Sequence, residues 1–188
     1  MNGTMLFLIL AAAYLAGSVN FSIIVFRLTG RGDPRDAFSG NPGMTNVYRQ
    51  CGLPMAALVL ILDVTRSMLV AALALHTLPG YWVSWIGFGL IFGNRYPCFH
   101  GFRGGKGVAN YLGFTLYIAP LAALVSALVW LMLFACFRIP FIGSFGMVLV
   151  LAAATVFGCS FHVVCLGGAL LTAVFIMAAH RQNILNLK

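Results

Sequence analysis

The sequence predicts an all-α integral membrane protein with about seven transmembrane helices, some short, and with its chemistry in loops on the cytoplasmic face. Three observations carry that expectation. Of 188 residues, 62% are hydrophobic and 7% charged, whereas a soluble domain carries about 25% charged residues. The apolar residues run in stretches close to the roughly 20 that a spanning helix needs. The 11 Lys+Arg, set against only Asp33, Asp36 and Asp63, mostly punctuate those stretches, as the positive-inside rule requires.

The first span runs from Met5 to Phe26. It lacks a basic n-region and a small-residue cleavage site, so it reads as a retained helix and not a signal peptide. Arg27 to Gly52 is the one long hydrophilic segment, and Arg27, Arg31, Arg35 and Arg49 mark it as cytoplasmic. Residues 53–76 form a second span containing Asp63 and Arg66, whose i,i+3 spacing predicts an intramembrane ion pair with a packing role. Residues 82–99 give a third, shorter span that ends near Arg95 and Pro97. Arg103 and Lys106 then return the chain to the cytoplasmic side.

From Val108 to Ala179 the apolar sequence is almost unbroken, and charge must count the crossings. Four short segments (108–119, 121–137, 141–158, 161–179), divided at Pro120 and at Arg138 with Pro140, keep Arg138 cytoplasmic together with a tail bearing Arg181 and Lys188. Two long segments would strand Arg138 outside. Seven crossings are therefore preferred to five, with tilted or re-entrant helices left open for the short segments. Residues 1–188 read as a single polytopic domain. Gly17 and the Gly167-Gly168 pair suit close helix packing. Five cysteines (Cys51, Cys98, Cys136, Cys159, Cys165) without a C-x-x-C pair argue against a disulfide framework or a metal site. Nucleic acid is a poor partner for basic residues so few and so scattered. Anionic lipid headgroups and phosphorylated substrates fit them better.

Three polar clusters stand out from this apolar background. "SGNPGMTNVYR", Ser39 to Arg49, combines turn residues with many side-chain donors. "GFRGGKGVANYLGF", residues 101–114, places Lys106 among glycines with Arg103 just ahead. Glycine-rich loops hold anions because bare backbone N–H groups converge on them. The nucleotide P-loop does not fit, since Gly107 follows Lys106 where Ser or Thr is required and the spacing is one residue short. A helix starting near Val108 would add its N-terminal partial charge to Arg103, Lys106 and the N–H groups of Gly104 to Val108. The third cluster is "HRQNI", where His180 and Asn183 share a face if helicity continues.

"GSVNFSIIVFRLTGRGDPR", "SGNPGMTNVYRQCG", "FRGGKGVA" and "AAHRQNI" resemble, in order along nearly the whole chain, the signatures of the PlsY family of bacterial acyl-phosphate:glycerol-3-phosphate acyltransferases. The resemblance implies a multi-pass enzyme of the bacterial inner membrane, its site facing the cytoplasm, that needs no cofactor and no metal. Its implied partners are acyl phosphate, glycerol 3-phosphate, membrane lipids and the enzyme that makes acyl phosphate. It implies Ser39, Lys106 and His180 as catalytic residues. Arg49, Asn183 and the glycines Gly104, Gly105 and Gly107 are implied to bind substrate, and Asn41, Thr45, Asn46 and Arg103, from the polar clusters themselves, are further candidates for substrate binding. The chain departs from the family pattern at Met44 (commonly Ala), Asn94 (commonly His) and Gln182 (commonly acidic).

Other readings of the residues remain open at this point. A small phosphate- or lipid-binding transporter would use the same basic loops, though it should carry its polar groups at the midplane. An inactive paralogue acting as a partner is a further alternative. Acyltransferases of the H-x-x-x-x-D type are excluded, because none of His76, His100, His162 and His180 is followed by Asp at that spacing. With so few carboxylates, the proton acceptor is His180, Ser39 or a substrate phosphate oxygen. The last is favoured, because the leaving phosphate forms where the proton must go.

Overall fold

The computed structural model of the chain describes residues 3–185, so Lys188 lies outside the described residues. Among these, ten α-helices follow one another. They are α1 (Gly3–Ser18), α2 (Phe21–Leu28), α3 (Met44–Cys51), α4 (Leu53–Thr77), α5 (Val83–Arg95), α6 (Val108–Ile118), α7 (Pro120–Phe137), α8 (Pro140–Gly158), α9 (Val163–Ala178) and α10 (Arg181–Leu185). Four stretches are long and apolar enough to cross a bilayer: Gly3–Leu28, Leu53–Thr77, Pro120–Phe137 and Pro140–Gly158. α5, α6 and α9 are shorter: α5 packs on α1, α4 and α9, α6 on α4, α7 and α8, and α9 on α5 and α8.

Two elements differ from the sequence expectation. The first span is broken at Val19-Asn20, where the Asn20 side chain accepts the Ile23 N–H at 3.2 Å and restarts the helix as α2. The hydrophilic segment also contains α3. Its apolar residues Met44, Val47 and Cys51 recur at helical spacing and pack beneath Val25, Phe26 and Val59.

Arg66 of α4 completes the break. It donates to the Val19 carbonyl that the interruption frees, to Asn110 Oδ1 of α6, and at 3.0 Å to Asp63 Oδ1. Ser67 Oγ adds bonds to Asp63 O and Asn110 Oδ1. The predicted Asp63–Arg66 pair is thus present, within a larger network. Irregular backbone at membrane depth survives only where protein groups satisfy it, and here a guanidinium does so.

Small residues set how closely the other helices approach. A Cβ on Gly17 would collide with the Leu90 carbonyl, and one on Gly93 with that of Tyr14, so α1 and α5 cross in backbone contact. Gly168 makes the same allowance for Ser84 between α9 and α5. α7, by contrast, turns Leu121, Leu124, Leu128 and Leu131 outward, as a lipid-facing helix should.

The polar connections gather at one end. Arg35 ion-pairs with Asp33 at 2.6 Å and donates to the His100 and Arg103 carbonyls at 2.8 Å each, pinning the α2–α3 segment onto the α5–α6 loop. At the opposite end, Tyr81 stacks on His162 with ring centroids 4.4 Å apart. That end also carries a bond between Cys159 and Cys165 across the α8–α9 turn, which corrects the expectation of no disulfide framework. Six residues of separation suffice because the chain reverses between them. Cys51, Cys98 and Cys136 are free.

Replacing Arg66 with Met keeps its bulk but orphans a carboxylate and a carbonyl and leaves the Asn110 amide oxygen only its Ser67 bond. Breaking a buried pair by removing one partner costs about 3–5 kcal/mol. The expected result is a sharp fall in the thermal midpoint of the detergent-purified protein. An unchanged midpoint would show that the α1–α2 break holds without Arg66.

Candidate active site

The end that gathers the polar connections also holds a cavity of about 380 Å³. Its mouth is polar. Ser39, Asn41, Thr45, Asn46, Arg49, Gly105, Lys106, Gly107, His180 and Asn183 all line it, brought together from the α2–α3 segment, α3, the α5–α6 loop, the α9–α10 turn and α10. Its inner part is apolar, with Leu60, Leu112, Ala127, Trp130, Leu131 and Met147 supplied by α4, α6, α7 and α8. Pro140 and Phe141 also line it, which puts the α7–α8 junction beside Arg138 at the site's own end.

The glycine loop works differently from the sequence expectation. The Gly104 and Gly105 N–H groups donate to the Arg95 and Asn94 carbonyls at 3.1 and 2.9 Å, and so are not free to bind an anion. These two glycines let the loop lie flat on the end of α5. A Cβ at Gly104 would collide with the Asn94 carbonyl. Gly107 adopts φ +88°, a left-handed turn that glycine enters at no steric cost, and leads into α6. Among the described residues, the N–H groups from Lys106 to Asn110 have no backbone acceptor. With the α6 N-terminus behind them, they are unpaired donors of the kind that favours an anion.

Arg103 and Gly104 do not line the cavity. Arg103 is exposed, and its carbonyl serves as an anchor for Arg35. Nearness to Lys106 in sequence gave no information here, because the intervening glycines turn the chain. Asn46 borders the cavity, but its amide is committed: Nδ2 donates to the Pro34 and Ala37 carbonyls, and Oδ1 accepts the Ser39 N–H. It shapes the loop that carries Ser39.

Lys106 Nζ donates to Asn183 Oδ1 at 2.5 Å, closing the site from the α10 side. Burial first, then the nearby Arg95 and Arg49 charges, lower the Lys106 pKa to about 8. His180 Nδ1 lies 2.9 Å from the Ile176 carbonyl. A carbonyl only accepts, so the hydrogen is on Nδ1 and the other ring nitrogen, Nε2, is an acceptor. Burial, then the Lys106 and Arg95 charges, outweigh that bond and lower the His180 pKa to about 4. The imidazole is neutral at pH 7. It offers the site a lone pair on Nε2.

Sequence reasoning missed several cavity residues. Asp63 and Asn110 reach the lining from the Arg66 network, and Asn94 lies under the glycine loop. The available signal was a polar residue in the last turn of an otherwise apolar helix. The other departures lie elsewhere: Met44 packs against the α2–α3–α4 core and borders the cavity, and Gln182 is exposed outside it.

Residues 7–188 match the profile of a family described as glycerol-3-phosphate acyltransferase. A relative of that name from Neisseria meningitidis is 35% identical over 182 residues, covering 94% of this chain and 90% of its own. One from Azotobacter vinelandii is 42% identical over 135 residues, 71% of each chain. The fold superposes on crystal structures of PlsY, an integral membrane glycerol 3-phosphate acyltransferase. Its glycerol 3-phosphate form gives a TM-score of 0.89 at 34% identity, over 98% of this chain and 92% of the other. Its lysophosphatidic acid form gives 0.86 at 33%, with the same coverage.

Anion binding at this mouth should depend on the charge of Lys106. A lysine titrating near 8 is cationic below that pH and neutral above it, so binding should be stronger at pH 7 and weaken as pH rises through 8. Sulfate keeps a constant charge over this range and is a clean probe. Calorimetry should show sulfate affinity falling between pH 7 and 9. In Lys106→Ala the affinity should be at least ~10-fold lower with the inflection gone, since one charge-assisted bond is worth about 1.5–3 kcal/mol. A wild-type profile without that inflection would remove Lys106 from anion binding.

Proposed function

This chain belongs to the glycerol-3-phosphate acyltransferase family, the PlsY family, and on that premise we propose that it moves a fatty acyl group from acyl phosphate to the 1-hydroxyl of glycerol 3-phosphate. The products are lysophosphatidate and inorganic phosphate, in bacterial phospholipid synthesis. One observation carries the reading. A cationic, N–H-rich mouth opens onto an apolar interior within one cavity, the shape of a molecule with a phosphate head and a hydrocarbon tail. Each buried CH₂ of that tail contributes about 0.8 kcal/mol.

An acyl phosphate is a mixed anhydride and already activated. The enzyme must hold two anionic phosphates close together and align a hydroxyl with the acyl carbon, and such alignment supplies up to roughly 7–11 kcal/mol. Arg49, Lys106 and the α6 N-terminal amides offset the repulsion. Asn183 fixes the Lys106 ammonium. The glycerol oxygen attacks the acyl carbon, the bond to the phosphate oxygen breaks, and the proton passes to the leaving phosphate. Lys106 stabilises the charge that develops there.

Ser39 reaches the cavity mouth without a base bonded to its hydroxyl among the described residues, which favours a donor role over a covalent nucleophile. His180 accepts the glycerol hydroxyl through Nε2 and orients it. A pKa near 4 makes it a weak base, consistent with substrate-assisted proton transfer.

Residues 1–188 act as one polytopic domain of the bacterial inner membrane, with seven crossings and the cavity facing the cytoplasm. The Cys159–Cys165 bond at the opposite end supports that orientation, because disulfides persist in oxidising compartments. Acyl phosphate reaches the site from the enzyme that makes it. The transporter alternative is not favoured, since the convergent polar groups lie at one end of the helices.

Purified protein given palmitoyl phosphate and glycerol 3-phosphate should release lysophosphatidate and phosphate in equal amounts, and nothing with acyl-CoA or acyl carrier protein. Equal turnover with acyl-CoA would sink the donor assignment. In the same assay, His180→Asn should retain measurable turnover and raise the Michaelis constant for glycerol 3-phosphate. Abolished turnover with binding intact, together with a wild-type profile showing one essential base near 6.5, would instead make His180 the general base.

A further inference from the structure

Asn94 occupies the last turn of α5, directly beneath the glycine loop. Its carbonyl accepts the Gly105 N–H at 2.9 Å. Its side-chain amide lies against the same glycine, where an added Cβ would stand 2.8 Å from Nδ2 and 3.4 Å from Oδ1. The residue is only 4% exposed, yet it lines the cavity. Among the described residues, no protein group hydrogen-bonds this amide, and neither of its polar atoms is sealed off. What remains open to it is the cavity. Buried amides almost always have partners, because leaving one unsatisfied is costly.

The surroundings say what kind of partner completes it. Lys106, Arg49, His180 and Asn183 line the same cavity. The one carboxylate in that lining, Asp63, is already engaged by Arg66. A group entering here meets net positive charge, the free N–H groups that open α6, and the two N–H hydrogens of Asn94 Nδ2. That set matches a phosphate. It also explains why position 105 is glycine: any side chain would displace the amide from the cavity floor.

We propose that the Asn94 carboxamide is a direct ligand of a substrate phosphate, donating Nδ2–H to its oxygens from below the glycine loop. The proposal rests on reading the cavity as the site of acyl phosphate and glycerol 3-phosphate. Either substrate brings a phosphate, so the test varies each separately.

Asn94→Ala removes the donor, and Asn94→Asp keeps the shape while setting a carboxylate against the anion. Steady-state rates are measured with acyl phosphate and glycerol 3-phosphate varied in turn, and folding is checked by gel filtration and thermal midpoint. Asn94→Ala should raise the Michaelis constant of one substrate by about tenfold, the value of one hydrogen bond to a charged group. Its kcat should stay within about threefold. Asn94→Asp should raise that same constant further, because it adds repulsion to the lost bond. The substrate affected identifies the phosphate held.

Unchanged Michaelis constants in both variants would overturn the proposal. So would a loss confined to kcat, which would mark a contact made only in the transition state and not a ligand of the bound phosphate. If the alanine variant does not fold, the near-isosteric aspartate variant decides by the same criteria. Calorimetric titration with inorganic phosphate separates the proposal from the reading beneath it. Wild-type protein that transfers no acyl group refutes the reading, whereas phosphate affinity undiminished by Asn94→Asp refutes the ligand.

Discussion

One guanidinium in the middle of α4 determines where the functional loops stand. Arg66 grips the carbonyl exposed by the α1–α2 break, the Asp63 carboxylate and the Asn110 amide, and its face lies 5.2 Å from the Phe21 ring centroid. A charge at this depth costs several kcal/mol unless its donors are met. The structure meets those on Nη1 and Nη2 with partners from three separate segments, and leaves Nε without one among the described residues. Asn20, next to the gripped carbonyl, reaches the Pro42 carbonyl through Nδ2 and so carries the position of the break into the loop bearing Ser39. Asn110 lies in the first turn of α6, just beyond Lys106. The two halves of the cavity mouth are referenced to the same buried ion.

That arrangement leaves the mouth with uncompensated positive charge. Asp33 is held by Arg35, well below its usual carboxylate range, because the guanidinium bonds it directly. Asp63 is held by Arg66. Neither carboxylate is available to neutralise Lys106 or Arg49. After burial, the Arg95 and Arg49 charges lower the proton affinity of Lys106, and those of Lys106 and Arg95 lower that of His180, so arrival of an anion relieves the repulsion. The scarcity of acidic residues is therefore part of the site's design, since the substrates bring the missing negative charge.

The sequence made the helical segments legible because lipid exposure leaves an apolar signal too strong to miss, and charge at the breaks gave the alternation of ends. It hid the α1–α2 break, since Ser18, Asn20 and Ser22 are small polar residues that alternate with apolar ones and barely interrupt the run. It hid α3, whose polar surface masks an apolar face visible only once α2 and α4 are in place. Lys106, His180, Asn183 and Arg49 were legible as chemistry because cations and imidazoles are rare in such a chain. Their convergence was not, because it depends on how α9 ends beside the α5–α6 loop. Arg103 misled through adjacency. Asn94 escaped because a single amide at a helix end has many bland explanations. The Cys159–Cys165 bond required knowing that the chain reverses between those residues.

Leu131 lines the cavity's inner part and is also 57% exposed on the lipid-facing side of α7. The apolar interior therefore adjoins the hydrocarbon phase, while the mouth opens among polar loops. A donor with a long tail is met in two dimensions and its co-substrate in three. What governs saturation by the donor is then its mole fraction among the surrounding amphiphiles, whatever its amount per litre. Enlarging the micelle pool with inert detergent dilutes one reactant and leaves the other untouched, so a single apparent affinity for the donor has no meaning until the composition of the surface is stated with it.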